Sequence, residues 1–219
     1  MTTAKAYRGI AMEGPIAAWY TKNTGRDLAR FTKVARLLAQ RVRPGAQVLE
    51  VAPGPGYLAI ELAKRGYTVT ALDISQSFVK IARGNAAAAG VAVDVRHGNA
   101  SAMPFADASF DAVVCVAAFK NFTDPIGAIN EMHRVLKPGG QASIFDLRKD
   151  ASGKDIAAEV RSMNLSAWNT LVTRWTFEHL LLKRAYTREQ LDGMAMQSRF
   201  GRWEITSDGI GFELRLTRF

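Results

Sequence analysis

Cysteine is the scarcest residue of this 219-residue chain, with a single copy at Cys115. One cysteine excludes an internal disulfide and any cysteine-built metal site, and its place inside an apolar run reads as a buried core thiol. No metal is expected. Long apolar runs are missing too: the longest, Ala112 to Phe119, has eight residues, against the roughly 20 that span a bilayer. Met1 to Arg8 lacks the apolar centre of a secretion signal. Internal repeats and low-complexity linkers are absent, and there are only three histidines. A cytoplasmic location is expected.

What is present fits one α/β domain with a sizeable core: 48% of residues are hydrophobic and 22% charged. The net charge of +9 is uneven. Residues 1–45 hold nine Lys/Arg against two acids, residues 46–147 eight against nine, and residues 148–219 twelve against nine. The basic excess therefore belongs chiefly to the N-terminal segment.

Periodicity predicts one helix over residues 22–43, with Lys22, Arg26, Arg30, Lys33 and Arg36 on one side and Leu28, Phe31, Ala35, Leu38 and Val42 on the other. Strands are expected at 47–52, 68–73, 91–97, 110–116 and 141–147, with helices at 57–65, 75–89 and 125–136 between them. Lys137-Pro138-Gly139-Gly140 reads as a turn. Ser152-Gly153-Lys154-Asp155 and Thr187-Arg188-Glu189-Gln190 read as capping boxes, with helix predicted from Ile156 to Tyr186. Residues 203–206 and 212–217 form a terminal hairpin around Asp208-Gly209. Strands alternating with helices of ten to fifteen residues predict a doubly wound, mostly parallel sheet. As one domain, the chain divides into an N-terminal helical cap (1–43), a core (44–150), a helical insertion (151–200) and the hairpin (201–219).

The segment Val48-Leu49-Glu50-Val51-Ala52-Pro53-Gly54-Pro55-Gly56-Tyr57 carries the most information. An apolar strand runs into an acid, then into a loop whose glycines let bare backbone approach a ligand, then into a helix. A second acid, Asp73, closes the next strand. That order is the sequence form of a nucleoside site on a parallel sheet. Gly54-Pro55-Gly56-Tyr57-Leu58-Ala59 also fits the dinucleotide fingerprint. However, Glu50 would sit badly beside a pyrophosphate and suits a cationic ligand such as a sulfonium amino acid, and no hydride-transfer machinery follows.

On these residues the chain resembles the class I S-adenosylmethionine-dependent methyltransferases of the small-molecule type. Glu50 to Gly56 is similar to the family's acid-and-glycine loop, and Leu72-Asp73 to its ribose-binding acid. Asn99-Ala100 with Met103-Pro104-Phe105 is similar to its adenine-contacting segment. Phe110 to Cys115 and Arg134 to Gly140 resemble its fourth strand and the turn before the fifth. The resemblance implies a seven-stranded Rossmann-like fold, S-adenosyl-L-methionine as cofactor and S-adenosyl-L-homocysteine as product. It implies a cofactor site made of Glu50, Ala52, Gly54, Gly56, Tyr57, Asp73, Ile74, Asn99, Ala100, Val116 and Ala117. Three positions depart from the pattern. Ala52 replaces a glycine, where an ordinary negative φ is expected to suffice. Asn99 replaces an aspartate but keeps an oxygen for the adenine amine, and Lys120 stands where many relatives carry histidine.

No general base is identified. His97 and His133 read as surface or packing residues, and only His179 is placed near a substrate. Tyr20, Lys120, Arg148, Trp168 and His179 are the substrate-side candidates, with Trp19 closing over the cofactor and Trp175 and Phe177 helping to wall an apolar acceptor pocket. A small, partly apolar acceptor is expected, not nucleic acid, and at most weak peripheral membrane contact through the basic helix. The alternatives are an RNA methyltransferase using that helix and a non-catalytic cofactor-binding regulator.

Overall fold

The computed structural model describes residues 7, 12–25, 28–163, 167–177 and 181–219. In chain order the elements are α1 (Gly14–Thr24), α2 (Ala29–Ala39), β1 (Gln47–Val51), α3 (Tyr57–Ala63), β2 (Thr68–Asp73), α4 (Gln76–Ala88), β3 (Val93–His97) and β4 (Phe110–Val116). There follow α5 (Pro125–Val135), β5 (Leu136–Leu147), α6 (Gly153–Ser162), α7 (Ala167–Thr176), α8 (Arg188–Gln197), β6 (Arg202–Asp208) and β7 (Gly211–Thr217). They build one seven-stranded sheet in the order β3-β2-β1-β4-β5-β7-β6. The first five strands are parallel, and β7 joins β5 and β6 antiparallel.

Strands β1 and β4 are buried on both faces, which is why they read as continuous apolar runs. Leu49, Val51, Val113 and Cys115 pack with α5 and α8 on one side. Val48, Ala112 and Val114 pack with α2, α3 and α4 on the other. Helix starts follow the local chemistry. Ser75 accepts from the Phe78 N–H to cap α4, and Asp124 accepts from Gly127 ahead of Pro125 in α5. Both capping boxes form, at Ser152/Asp155 and at Thr187/Gln190.

Three expectations are corrected. The helix predicted over 22–43 is two helices, the first beginning at Gly14. Gly25 ends it where a Cβ would stand 2.7 Å from the Tyr57 hydroxyl, which itself donates to the Thr21 carbonyl. The basic stripe is divided accordingly: Lys22 rides on α1, Lys33 pairs with Asp208, and Arg26 lies outside the described residues. The turn at Lys137–Gly140 lies within β5 as a wide irregularity, because Leu136 pairs with Phe110 and the next partners are Gln141 and Ala112. The helix predicted from Ile156 to Tyr186 is instead broken into α6, α7 and a short 3-10 turn at Leu182–Arg184.

Candidate active site

A cavity of about 260 Å³ opens at the carboxyl ends of β1, β2 and β4. Sheet order reverses direction between β1 and β4. The strand ends splay apart at such a switch point and leave a crevice for a ligand. Nine of the residues expected to hold a cofactor line it: Glu50, Ala52, Gly54, Asp73, Ile74, Asn99, Ala100, Val116 and Ala117. Gly56 and Tyr57 are not among the residues lining it. Gly56, at φ +82°, is the N-cap of α3, and a Cβ there would come 3.0 Å from Ala82. Tyr57 braces α1 through its hydrogen bond to Thr21.

Glu50 is 2% exposed, and its Oε2 has no hydrogen-bond partner among the described residues. Burial pushes its carboxyl up to about 8, the Ala59 backbone N–H pulling down and nearby Asp73 pushing up. Asp73 is organised instead. Its Oδ2 accepts from the Gly54 N–H at 3.0 Å and its Oδ1 from the Ser75 N–H at 2.8 Å. Burial still raises it to about 6 against those two hydrogen bonds. An unpartnered buried oxygen is costly to the protein alone, and a cation in the cavity would relieve that cost.

Of the three left-handed alanines among the described residues, two lie at the same place and Ala108 lies elsewhere. Ala52 has φ +56° and Ala117 φ +57°. Both are in the left-handed region that a Cβ disfavours by roughly 1–2 kcal/mol, and both sit just past a strand that ends at the cavity. The ordinary negative φ expected for Ala52 is therefore wrong: the loop after β1 must turn as a glycine would, and the alanine bears the strain. Asn99 is partly committed as well, since its Oδ1 accepts from the Ser101 N–H at 3.0 Å.

The substrate-side candidates separate. Tyr20 lines the cavity, its ring edge-on to Phe78 at 5.7 Å. Lys120 does not: Nζ lies 2.7 Å from Asp146 Oδ1 and donates to the Ala117 carbonyl. Arg148 is taken up at the rim of α6, pairing with Asp155 and donating to the Gly209 carbonyl. Phe177 is buried against Ile156, Val160, Leu182 and Ile210, while Trp19 and Trp175 are exposed and none of the three lines the cavity. His179 and the side chain of Trp168 lie outside the described residues. His97 bonds through Nε2 with the Ile74 carbonyl, and His133 packs edge-on to Phe200.

The N-terminal segment contributes more than the sequence indicated. Tyr7, Met12, Glu13, Arg30 and Phe31 all line the cavity. Glu13 accepts from the Gln76 and Ser77 N–H groups at the start of α4, and the Ser75 hydroxyl donates to the Met12 carbonyl. Tyr7 bridges to Phe122, and burial raises its hydroxyl to about 12. Met12 and Glu13 carry no local signal, because their partners are 63 or 64 positions away.

Among the described residues there is no group of His, Cys, Asp or Glu suited to a metal ion, and no helix is long and apolar enough to cross a membrane.

Residues 49–144 match the family model described as a methyltransferase domain. The chain is 39% identical over 126 residues to demethylmenaquinone methyltransferase of Deinococcus radiodurans, covering 57% of this chain and 51% of the relative. It is 34% identical over 142 residues to a ubiquinone/menaquinone biosynthesis C-methyltransferase of Cupriavidus metallidurans, covering 64% and 58%. The chain thus spans little more than half the length of these curated relatives. A crystal structure from Methanococcus maripaludis, assigned to the S-adenosyl-L-methionine-dependent methyltransferases, superposes with a TM-score of 0.73 at 21% identity. It covers 100% of this chain and 97% of the other, a likeness of fold.

Proposed function

We infer that this chain is a class I S-adenosylmethionine-dependent methyltransferase of the small-molecule type, in keeping with the methyltransferase-domain match over residues 49–144, and that it transfers a methyl group to a small, partly apolar acceptor. The observation that carries the reading is Glu50, a buried carboxylate with an unpartnered oxygen at the wall of a strand-end cavity. The residues present fit the cofactor: an acid awaiting a cation, a second acid at the end of β2, and a glycine loop between them.

When bound, S-adenosyl-L-methionine supplies a methyl group on a sulfonium sulfur that is already activated as a leaving centre. Glu50 would hold the cationic amino-acid end and would be ionised by it. Asp73 accepts from the ribose hydroxyls while the Gly54 N–H keeps its carboxylate oriented. Ile74, Asn99 and Ala100 border the adenine. Val116 and Ala117 line the same cavity, and with Met12, Phe31, Phe78 and Phe122 they would exclude water from it. No nucleophile is required of the protein. Aligning acceptor and methyl carbon in a dry site can supply about 7–11 kcal/mol.

The named activity of the relatives, methylation of demethylmenaquinone, makes quinol-like aromatic compounds the first acceptors to test. On α2, Lys33 is paired with Asp208 and Arg30 lines the cavity, which thins the basic face that an RNA-methylating protein would use. A purely regulatory binder has no support in the relatives' names.

The test is calorimetry with S-adenosyl-L-homocysteine, followed by methyl incorporation across a panel of quinols, phenols and RNA. Binding with methylated quinol or phenol is expected. A chain that ignores the thioether and is stabilised by NADH would reverse the assignment.

A further inference from the structure

Helix α7 turns an apolar side outward. Leu171, Val172 and Trp175 are 61%, 45% and 53% exposed, and at about 100° per residue they share one side of the helix. Met163, ahead of α7, and Leu181, after it, are exposed as well. The helix packs on α6. Buried Phe177 and Leu182 anchor the segment against Leu147 at the end of β5 and Ile210 in the β6–β7 turn. It therefore stands at the carboxyl end of the sheet, the end where the cavity opens, and none of the exposed apolar side chains lines that cavity. The surroundings are basic. From residue 161 to residue 186 the sequence has four cations, Arg161, Arg174, Lys183 and Arg184, against one acid, Glu178. Arg161 is in the last turn of α6, Lys183 and Arg184 lie in the 3-10 turn, and all three are exposed.

We propose that the outward side of α7 is a docking surface for an anionic lipid bilayer, with Leu171, Val172 and Trp175 entering the headgroup boundary and Arg161, Lys183 and Arg184 meeting lipid phosphates. Single exposed apolar residues need no explanation, but three on one side of a helix do. Leucine and valine gain by leaving water. A tryptophan suits the boundary because its ring is apolar and its N–H polar, and cations beside such a helix add attraction to anionic headgroups. Among the described residues no helix can cross a membrane, so the contact is peripheral. A second copy seated by a two-fold axis would set the basic patch against itself. RNA would satisfy the cations and leave Leu171 and Val172 in water. The surface goes beyond the methyltransferase reading and does not depend on it. For a lipophilic acceptor, docking would bring the cavity end of the sheet towards the phase that holds it.

The test is co-sedimentation of the full chain with vesicles of phosphatidylcholine alone and of an equal mixture with phosphatidylglycerol. The parent should bind the mixed vesicles at least about tenfold more tightly than the neutral ones, and added salt should weaken the binding. Leu171→Gln, Val172→Gln and Trp175→Gln combined should weaken it about tenfold or more. The pair Lys183→Gln and Arg184→Gln, which leaves α7 untouched, should remove most of the preference for the anionic vesicles. All substituted positions are exposed, so melts and S-adenosyl-L-homocysteine affinity should match the parent. Failure of the parent to bind that thioether would sink the cofactor reading and leave the docking surface standing. No vesicle binding by a folded parent, equal binding to both vesicles, or full binding by the triple variant would overturn the proposal. So would a dimer, or an RNA complex, that the triple variant loses while vesicles are ignored.

Discussion

Lys120 Nζ lies 2.7 Å from Asp146 Oδ1, joining the end of β4 to the end of β5 beneath the cavity wall. Asp146 also accepts from the Lys120 and Leu147 N–H groups, and Lys120 donates to the carbonyl of left-handed Ala117. The lysine is therefore bonded into the wall through Asp146 and the Ala117 carbonyl.

Removing one partner of a buried pair leaves the other charge stranded, at a cost of roughly 3–5 kcal/mol. Lys120→Met should lower stability by about that much, measured by urea unfolding. A loss under about 1 kcal/mol would mean the pair is solvated and Lys120 is available for other work.

Glu50 makes the free protein sensitive to alkali. Its folded pKa, about 8, lies above the ordinary 4.5, so the folded state holds the proton more tightly than the unfolded chain. Stability is then fully present below about pH 4.5 and falls as pH rises towards 8, by about 1.4 kcal/mol for each pH unit between those two values. Asp73, raised from 3.8 to about 6, adds to the decline in the same sense over the lower part of that range. Glu50→Gln should melt close to the parent at pH 4.5 and above it at pH 8, with weaker ligand binding. Parallel melting-pH curves for the two proteins would contradict the burial argument.

Asp73 does two jobs that different substitutions separate. Asp73→Ala strips the acceptor from both Gly54 and Ser75, so both stability and affinity for S-adenosyl-L-homocysteine should fall. Asp73→Asn keeps one acceptor oxygen and should spare more stability. It should still lose about ten- to a hundredfold in affinity, from a charged hydrogen bond worth roughly 1.5–3 kcal/mol. Calorimetry and melts on both variants check this, and unchanged affinity in a folded Asp73→Ala would place the ribose elsewhere.

Substitutions at Ala52 should give an asymmetric response. Ala52→Gly relieves a left-handed alanine but adds freedom to the unfolded chain, two effects of about 1 kcal/mol that oppose each other, so melting should change little. Ala52→Val puts a β-branched residue at φ +56°, where branching is poorly tolerated, and should cost more than about 2 kcal/mol and loosen ligand binding. Equal melting temperatures for Gly and Val at this position would show that the loop does not bear strain.

What the sequence determined by itself is whatever local chemistry controls. Alternating strands and helices predicted the sheet, Ser152 and Thr187 marked helix starts, and the order of Glu50, Gly54 and Asp73 marked the cavity. Each depends on neighbours within a few residues or on a period of burial. Only the tertiary structure decided the rest. A glycine ends α1 because Tyr57 occupies the space of its Cβ, Lys120 faces Asp146 across 26 positions, and Arg30 turns away from the basic stripe into the cavity. Those outcomes depend on which surfaces meet once the sheet has formed, and charge pairing between distant residues leaves no periodic trace in the chain.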